Sequence, residues 1–110
     1  MCGINGLISS ENLSAQAVSK RLSQMNQEII HRGPDQDGFF VQENENFSVG
    51  MGMRRLSIID LNTGQQPMTS ENQDIQLVFN GEIYNFLELK KHLSETGVKF
   101  KTTSDTEVIL

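Results

Sequence analysis

Apolar residues recur at Val18, Leu22, Met25 and Ile29, spaced four, three and four apart, while Lys20, Arg21 and Gln27 fall on other faces. This is the period of one side of a helix, so the pattern predicts an amphipathic helix opening at Ser14. It should end near His31-Arg32-Gly33-Pro34-Asp35, where Gly suits a left-handed cap and Pro cannot continue the helix. Ahead of it, Cys2 to Ser9 is mostly apolar, and β-branched Ile4 and Ile8 predict a short, largely buried strand, with Gly3 leaving open space beside Cys2. Behind it, Gly38 to Gln42 and Phe47 to Met53 read as a hairpin joined by the polar turn Glu43-Asn44-Glu45-Asn46. In its second arm Phe47, Val49, Met51 and Met53 alternate with Ser48, Gly50 and Gly52, so one face is apolar and the other nearly bare.

Leu56-Ser57-Ile58-Ile59-Asp60 returns to core-type residues, and Leu61 to Asp74 shows neither helical nor strand period, which predicts a long surface loop. Ile75 to Phe79 reads as a strand; Asn80-Gly81 interrupts it and Glu82-Ile83-Tyr84 resumes a β-like pattern. A second helix should start at Asn85, with Glu88 completing a box-like cap, run through Phe86, Leu89 and Leu93, and stop at Gly97. Val98 to Thr102 makes one more short strand. Ser104-Asp105-Thr106-Glu107 is a capping box, with Val108 to Leu110 as the first turn of a continuing helix, so the sequence reads as a fragment. Hairpin-length connections favour an α+β layering with antiparallel sheets over a doubly wound parallel sheet.

Composition narrows the function classes. At 110 residues the chain holds one domain at most, and 36% apolar with 21% charged residues is ordinary for a packed globular fold. A net charge of −5 and no basic cluster argue against nucleic acid as a partner. No run approaches the roughly eighteen apolar residues of a membrane span, and no basic n-region precedes an apolar stretch, so no membrane is expected and the location read is cytoplasmic. A single Cys forms no internal disulfide, and His31 and His92 are too far apart to build a zinc site with it, so no metal is implied.

The chemistry starts at Met1-Cys2-Gly3-Ile4. Removal of the initiator Met is the expected processing before so small a side chain, and it would leave Cys2 with a thiol and a free α-amine on one residue. An amine with a pKa of about 8 can serve as base to such a thiol. Cys2 is then either a nucleophile or a small apolar residue opening a strand. Asn80-Gly81 is either a hairpin turn or a pair of N–H donors converging on one oxygen, the arrangement that stabilises a tetrahedral intermediate. Arg55 is a solvated strand charge or, if alternation continues from Met53, a guanidinium bordering the core and suited to a carboxylate. Asp105 stands where a helix dipole favours an anion whatever the function, and Glu82 alone reads as a turn charge. His31 and His92 read as helix-end and helix-flank residues rather than catalytic ones.

Taken together, Cys2-Gly3-Ile4, His31-Arg32-Gly33-Pro34-Asp35, Arg55-Leu56-Ser57-Ile58-Ile59-Asp60, Asn80-Gly81-Glu82-Ile83-Tyr84-Asn85 and Ser104-Asp105-Thr106-Glu107 resemble the glutaminase domain of glutamine-hydrolysing asparagine synthetases. Each stretch is modest alone; in this order they are specific. The resemblance runs the length of the chain and covers about the first half of that domain. It implies an N-terminal-nucleophile hydrolase fold, two antiparallel sheets between helical layers. It implies Cys2 as the nucleophile on L-glutamine with its own α-amine shuttling the proton, and Asn80 with Gly81 as the oxyanion hole. Arg55 would hold the substrate α-carboxylate and Asp105 its α-amine, with Glu82, Leu56, Ser57, Ile58 and Ile59 completing the pocket. The resemblance also implies a synthetase domain, absent here, that uses ATP and Mg²⁺ to make asparagine from aspartate; no cofactor is expected in these residues, which contain no Ser-Gly-Gly loop. A homodimer stays open as the assembly. The competing readings are an amidotransferase serving another acceptor, an N-terminal-Cys acylase acting on other amides, and a non-catalytic glutamine-binding module.

Overall fold

The computed structural model describes residues 2–11, 13–56 and 64–110. Its elements are β1 (Gly3–Ser9), α1 (Ala15–Glu28), β2 (Gln36–Glu43), β3 (Ser48–Arg55), β4 (Met68–Thr69), β5 (Gln76–Leu77) and α2 (Phe86–Glu95). Short 3₁₀ turns follow at Ile30–Arg32 and Thr106–Ile109. β1, β3 and β2 form one antiparallel sheet in that order, and β4 pairs with β5 in a second, so the α+β arrangement with two antiparallel sheets is the one the chain adopts.

The strand face that looked bare in sequence is the one that seats α1. A side chain at Gly50 would put its Cβ 2.6 Å from Val18 Cγ1 and 2.7 Å from Leu22 Cδ1. Only a missing side chain lets the helix lie this close to the middle strand, and Val18 and Leu22 are fully buried against it. Burying a Leu of this kind stabilises a fold by about 2 kcal/mol. Ser14 caps α1 through its Oγ, which accepts from the Ala17 N–H at 3.2 Å, and the Glu43 carboxylate at the end of β2 accepts from the Ala15 N–H. Further polar contacts join this segment to the sheet: Ser48 Oγ donates to the carbonyl of Leu13, just ahead of α1, at 2.6 Å, Asn26 Nδ2 donates to the Met53 carbonyl at 3.3 Å, and Asn5 Nδ2 donates to Asn26 Oδ1 at 2.5 Å.

Ile4 and Ile8, expected to be buried, lie on the opposite face, in register with Met53 and Val49, and stay 47% and 75% exposed. Nor does Gly3 leave room beside the thiol. It faces α1, and a Cβ there would meet Ile29 Cδ1 at 2.9 Å and Arg32 Cβ at 3.2 Å. The β2–β3 hairpin forms as expected but is longer, closed by Asn44, whose N–H bonds the Phe47 carbonyl and whose Oδ1 accepts from the Asn46 and Phe47 N–H groups.

Downstream, regular structure is sparser than the residue pattern suggests. The strand expected over Ile75 to Phe79 is confined to β5, and no ladder forms at Glu82 to Tyr84 or Val98 to Thr102. β4 arises inside the stretch expected to be a loop, because Met68 is buried opposite Leu77. Asn85 stands at the N-terminus of α2 without a side-chain cap bond. The stop at Gly97 is as expected: its φ is +98°, its N–H bonds the Ser94 carbonyl, and the Val98 N–H reaches the Leu93 carbonyl at 3.1 Å, the paired bonds of a Schellman ending.

Candidate functional site

Cys2 precedes the first residue of β1 and is half-buried, its Sγ 3.7 Å from the Leu56 carbonyl at the exit of β3. Antiparallel pairing of β1 with β3 sets Gly3 opposite Arg54, so the sheet itself brings Cys2 to the end of the strand that carries both arginines. The two arginines then divide. Arg54 turns to the α1 side: its Nε donates to the Gly33 carbonyl at 2.8 Å, a terminal N–H reaches the Pro34 carbonyl at 3.3 Å, and its guanidinium lies 3.6 Å from Asp37. Gly33 is there for close approach rather than for a left-handed cap. Its φ is −150°, and a Cβ would sit 2.4 Å from the Arg54 carbonyl carbon. Arg55 continues from Met53 on the other face, is 6% exposed, and donates to Gln36 Oε1 at 3.1 Å. Side-chain alternation therefore continues through the end of β3.

A cleft of about 330 Å³ opens beside these two residues. Its wall includes Cys2, Arg55, Leu56, Asn80, Gly81, Glu82 and Asp105, drawn from stretches as far apart as the two ends of the chain. The volume is at the small end of ligand cavities and suits a molecule of amino-acid size. Ser57, Ile58 and Ile59 lie outside the described residues.

Asn80-Gly81 does not turn a hairpin. The chain leaves β5, passes Phe79 and Asn80 in an irregular conformation, and enters α2 through Tyr84 and Asn85. Gly81 is held over the Phe79 ring, where a Cβ would meet Cζ at 2.6 Å and Cε2 at 2.9 Å, so the position admits no side chain without displacing that ring. Both Asn80 and Gly81 are exposed and line the cleft.

Asp105 is 7% exposed, flanked by buried Ser104 and Thr106, and its Oδ2 accepts from the Ile83 N–H at 2.9 Å. The expected capping box is rearranged. Ser104 Oγ accepts from the Thr106 N–H at 3.2 Å, but Glu107 reaches back instead to Lys101 and Thr102, accepting from both backbone N–H groups at 2.7 Å and from Thr102 Oγ1 at 2.6 Å. Burial alone would raise the Glu107 carboxyl pKa; these hydrogen bonds and the Lys90 ammonium outweigh it and hold the group below its ordinary range. The Glu107 clasp thus shapes the loop that presents Asp105. His31 and His92 are exposed and take no part in the cleft wall.

Sequence reasoning missed Gln66, Phe79, Ser104 and Thr106, all of which line the cleft. Ser104 and Thr106 sit inside a stretch already singled out, and their small polar side chains are consistent with a buried turn. Gln66 belongs to a run of polar residues with no period, so nothing in the residue pattern distinguishes it.

A thiol, a cation, two carboxylates and a Gly-containing segment line one small cleft, a set of groups able to hold a zwitterion and attack a carbonyl derivative near it. The chain belongs to the glutamine amidotransferase domain family, which it matches over residues 1–110. It is 49% identical over 111 residues to asparagine synthetase [glutamine-hydrolyzing] 1 of Bacillus subtilis, covering 100% of this chain and 17% of that protein. It is 40% identical over 125 residues to the putative asparagine synthetase [glutamine-hydrolyzing] 2 of Methanocaldococcus jannaschii, covering 100% of this chain and 23% of that protein. To asparagine synthetase [glutamine-hydrolyzing] 1 of Arabidopsis thaliana it is 38% identical over 109 residues, 99% of this chain and 18% of the relative. The chain thus spans about a fifth of the length of these curated relatives.

Proposed function

We propose that this chain carries the glutaminase chemistry of a glutamine-hydrolysing asparagine synthetase with an N-terminal-nucleophile fold. After removal of Met1, the Cys2 α-amine takes the thiol proton and Sγ attacks the side-chain amide carbon of L-glutamine. The side-chain N–H of Asn80 and the backbone N–H of Gly81 stabilise the oxyanion, each donor contributing roughly a hundredfold in rate. The amine returns the proton to the leaving nitrogen, ammonia departs, and water hydrolyses the Cys2 thioester to glutamate. Arg55 and Asp105 hold the substrate α-carboxylate and α-amine, with Glu82 and the Leu56 to Ile59 segment completing the pocket.

The observation that carries this reading is the single cleft lined by Cys2, Arg55, Asn80, Gly81, Glu82 and Asp105. A cation and an anion in one small cavity suit the two charged ends of a free amino acid. The family match favours glutamine over other amides as the substrate. In the same reading the ammonia passes to a synthetase domain of the same polypeptide that uses ATP and Mg²⁺ to convert aspartate to asparagine, in the cytoplasm. No helix among the described residues is long and apolar enough to cross a membrane.

The test is Cys2→Ala in the full-length protein. Glutamine-dependent asparagine formation should vanish while ammonia-dependent formation persists; unchanged glutamine hydrolysis refutes the reading.

A further inference from the structure

Gln66 touches three separate parts of the fold at once. Its Oε1 accepts from the Phe79 N–H at 2.6 Å, one residue before Asn80-Gly81. Its Nε2 donates to Thr106 Oγ1 at 3.3 Å, one residue after Asp105. Its own backbone carbonyl lies so close to β2 that a Cβ on Gly38 would sit 1.8 Å from it, so only Gly at 38 lets the residue take this place. The main chain of Gln66 is thereby seated on the three-stranded sheet that also fixes Cys2, while its amide spans the gap to the two irregular segments across the cleft.

The consequence is geometric. Phe79 and Asn80 lie outside any ladder, so the Phe79 N–H has no strand partner to fix the turn that follows. The short bond to Gln66 supplies that partner, and a part-buried N–H left without it would be costly. Resting on the glutaminase reading, we propose that Gln66 is a positioning residue: it sets the Asn80-Gly81 donors at a fixed distance from Cys2 Sγ, with a weaker second hold on the Asp105 segment. The two bonds are unequal in length, so the effect falls mainly on the donors and hence on turnover.

The experiment uses the full-length protein as wild type and Gln66→Met, which keeps the volume and removes both hydrogen bonds. Glutamine hydrolysis should lose about tenfold or more in kcat with KM changed less than about threefold, the loss expected when catalytic donors are displaced by a fraction of an ångström. Labelling of Cys2 by the diazoketone analogue of glutamine should slow in parallel. Alkylation of Cys2 by iodoacetamide, which needs no oxyanion donors, should keep its wild-type rate, an outcome that general loss of structure would not give. Equal kcat in wild type and Q66M overturns the proposal, as does an equal slowing of both labelling reactions. Should Q66M not fold, Gln66→Ala takes its place: it too removes both side-chain hydrogen bonds and adds no charge, and the same readouts support or overturn the proposal. A wild-type protein that neither hydrolyses glutamine nor takes the diazoketone at Cys2 would instead sink the glutaminase reading itself.

Discussion

The Ile83 backbone N–H donates to Asp105 Oδ2 at 2.9 Å, tying the segment that follows Asn80-Gly81 to the far wall of the cleft. In the proposed glutaminase reading this one carboxylate has two duties, holding that segment and offering negative charge to a substrate ammonium. Asp105→Asn separates them, because an amide oxygen still accepts from Ile83 while the charge is gone. KM for glutamine should rise about tenfold to a hundredfold, in line with about 1.5–3 kcal/mol for a hydrogen bond to a charged group, with kcat nearly unchanged. Steady-state kinetics on the full-length variant check this; an unaltered KM would remove Asp105 from substrate binding.

Glu107 gives the loop around Asp105 a dependence on acid. Its carboxyl is held below the ordinary glutamate value of 4.5, so its contribution to stability is fully present above that value and is lost as pH falls through the lower folded-state value. Replacement by Gln should weaken the loop by about 1–2 kcal/mol at neutral pH, and the difference from wild type should shrink as the medium becomes more acidic than the ordinary glutamate pKa. Hydrogen exchange of the Lys101 and Thr102 amides, corrected for the intrinsic rate at each pH, reads this directly, since both donate to Glu107. Protection that is the same in E107Q and wild type at neutral pH would contradict it.

Gly50 and Gly97 are needed for different reasons and should respond differently to one substitution. At Gly50 an added methyl meets the buried Val18 and Leu22, so Gly50→Ala must lift α1 from the sheet, costing about 1–3 kcal/mol. At Gly97 nothing lies within 4 Å, and the cost of Gly97→Ala comes from a φ of +98° alone, about 1 kcal/mol. Denaturant unfolding of both variants measures the contrast. In a Leu22→Ala background, which frees space beside the strand, Gly50→Ala should cost less than in the wild type, while Gly97→Ala should cost the same in both.

Where the fold rests on periodicity, the residues announce it. The four-three-four spacing from Val18 to Ile29 marks α1, the alternation from Phe47 to Met53 marks β3, and Gly97 marks the end of α2. Periodicity says which residues share a face but not what covers that face. Ser48, Gly50 and Gly52 look unused until a helix is found resting on them, and Ile4 and Ile8 look buried until they prove to be on the other side. The cleft residues were legible mostly as a set in a characteristic order, since Cys2, Arg55, Asn80, Gly81, Glu82 and Asp105 each have an ordinary explanation alone. Gln66 stayed hidden because a side-chain amide gains its meaning from partners 13 and 40 residues away, a separation no local pattern encodes.

The sulfur of Cys2 hangs from a continuous hydrogen-bonded ladder, whereas Asn80, Gly81 and Asp105 ride on segments held by a handful of individual clips. Opening free energies are expected to follow that distribution, with the far lip of the cleft yielding before the Cys2 side. On the proposed glutaminase reading, entry of an amino acid and exit of its product would depend on how often those clips release, which would make the traffic of small molecules adjustable by substitutions that never touch the reacting atoms.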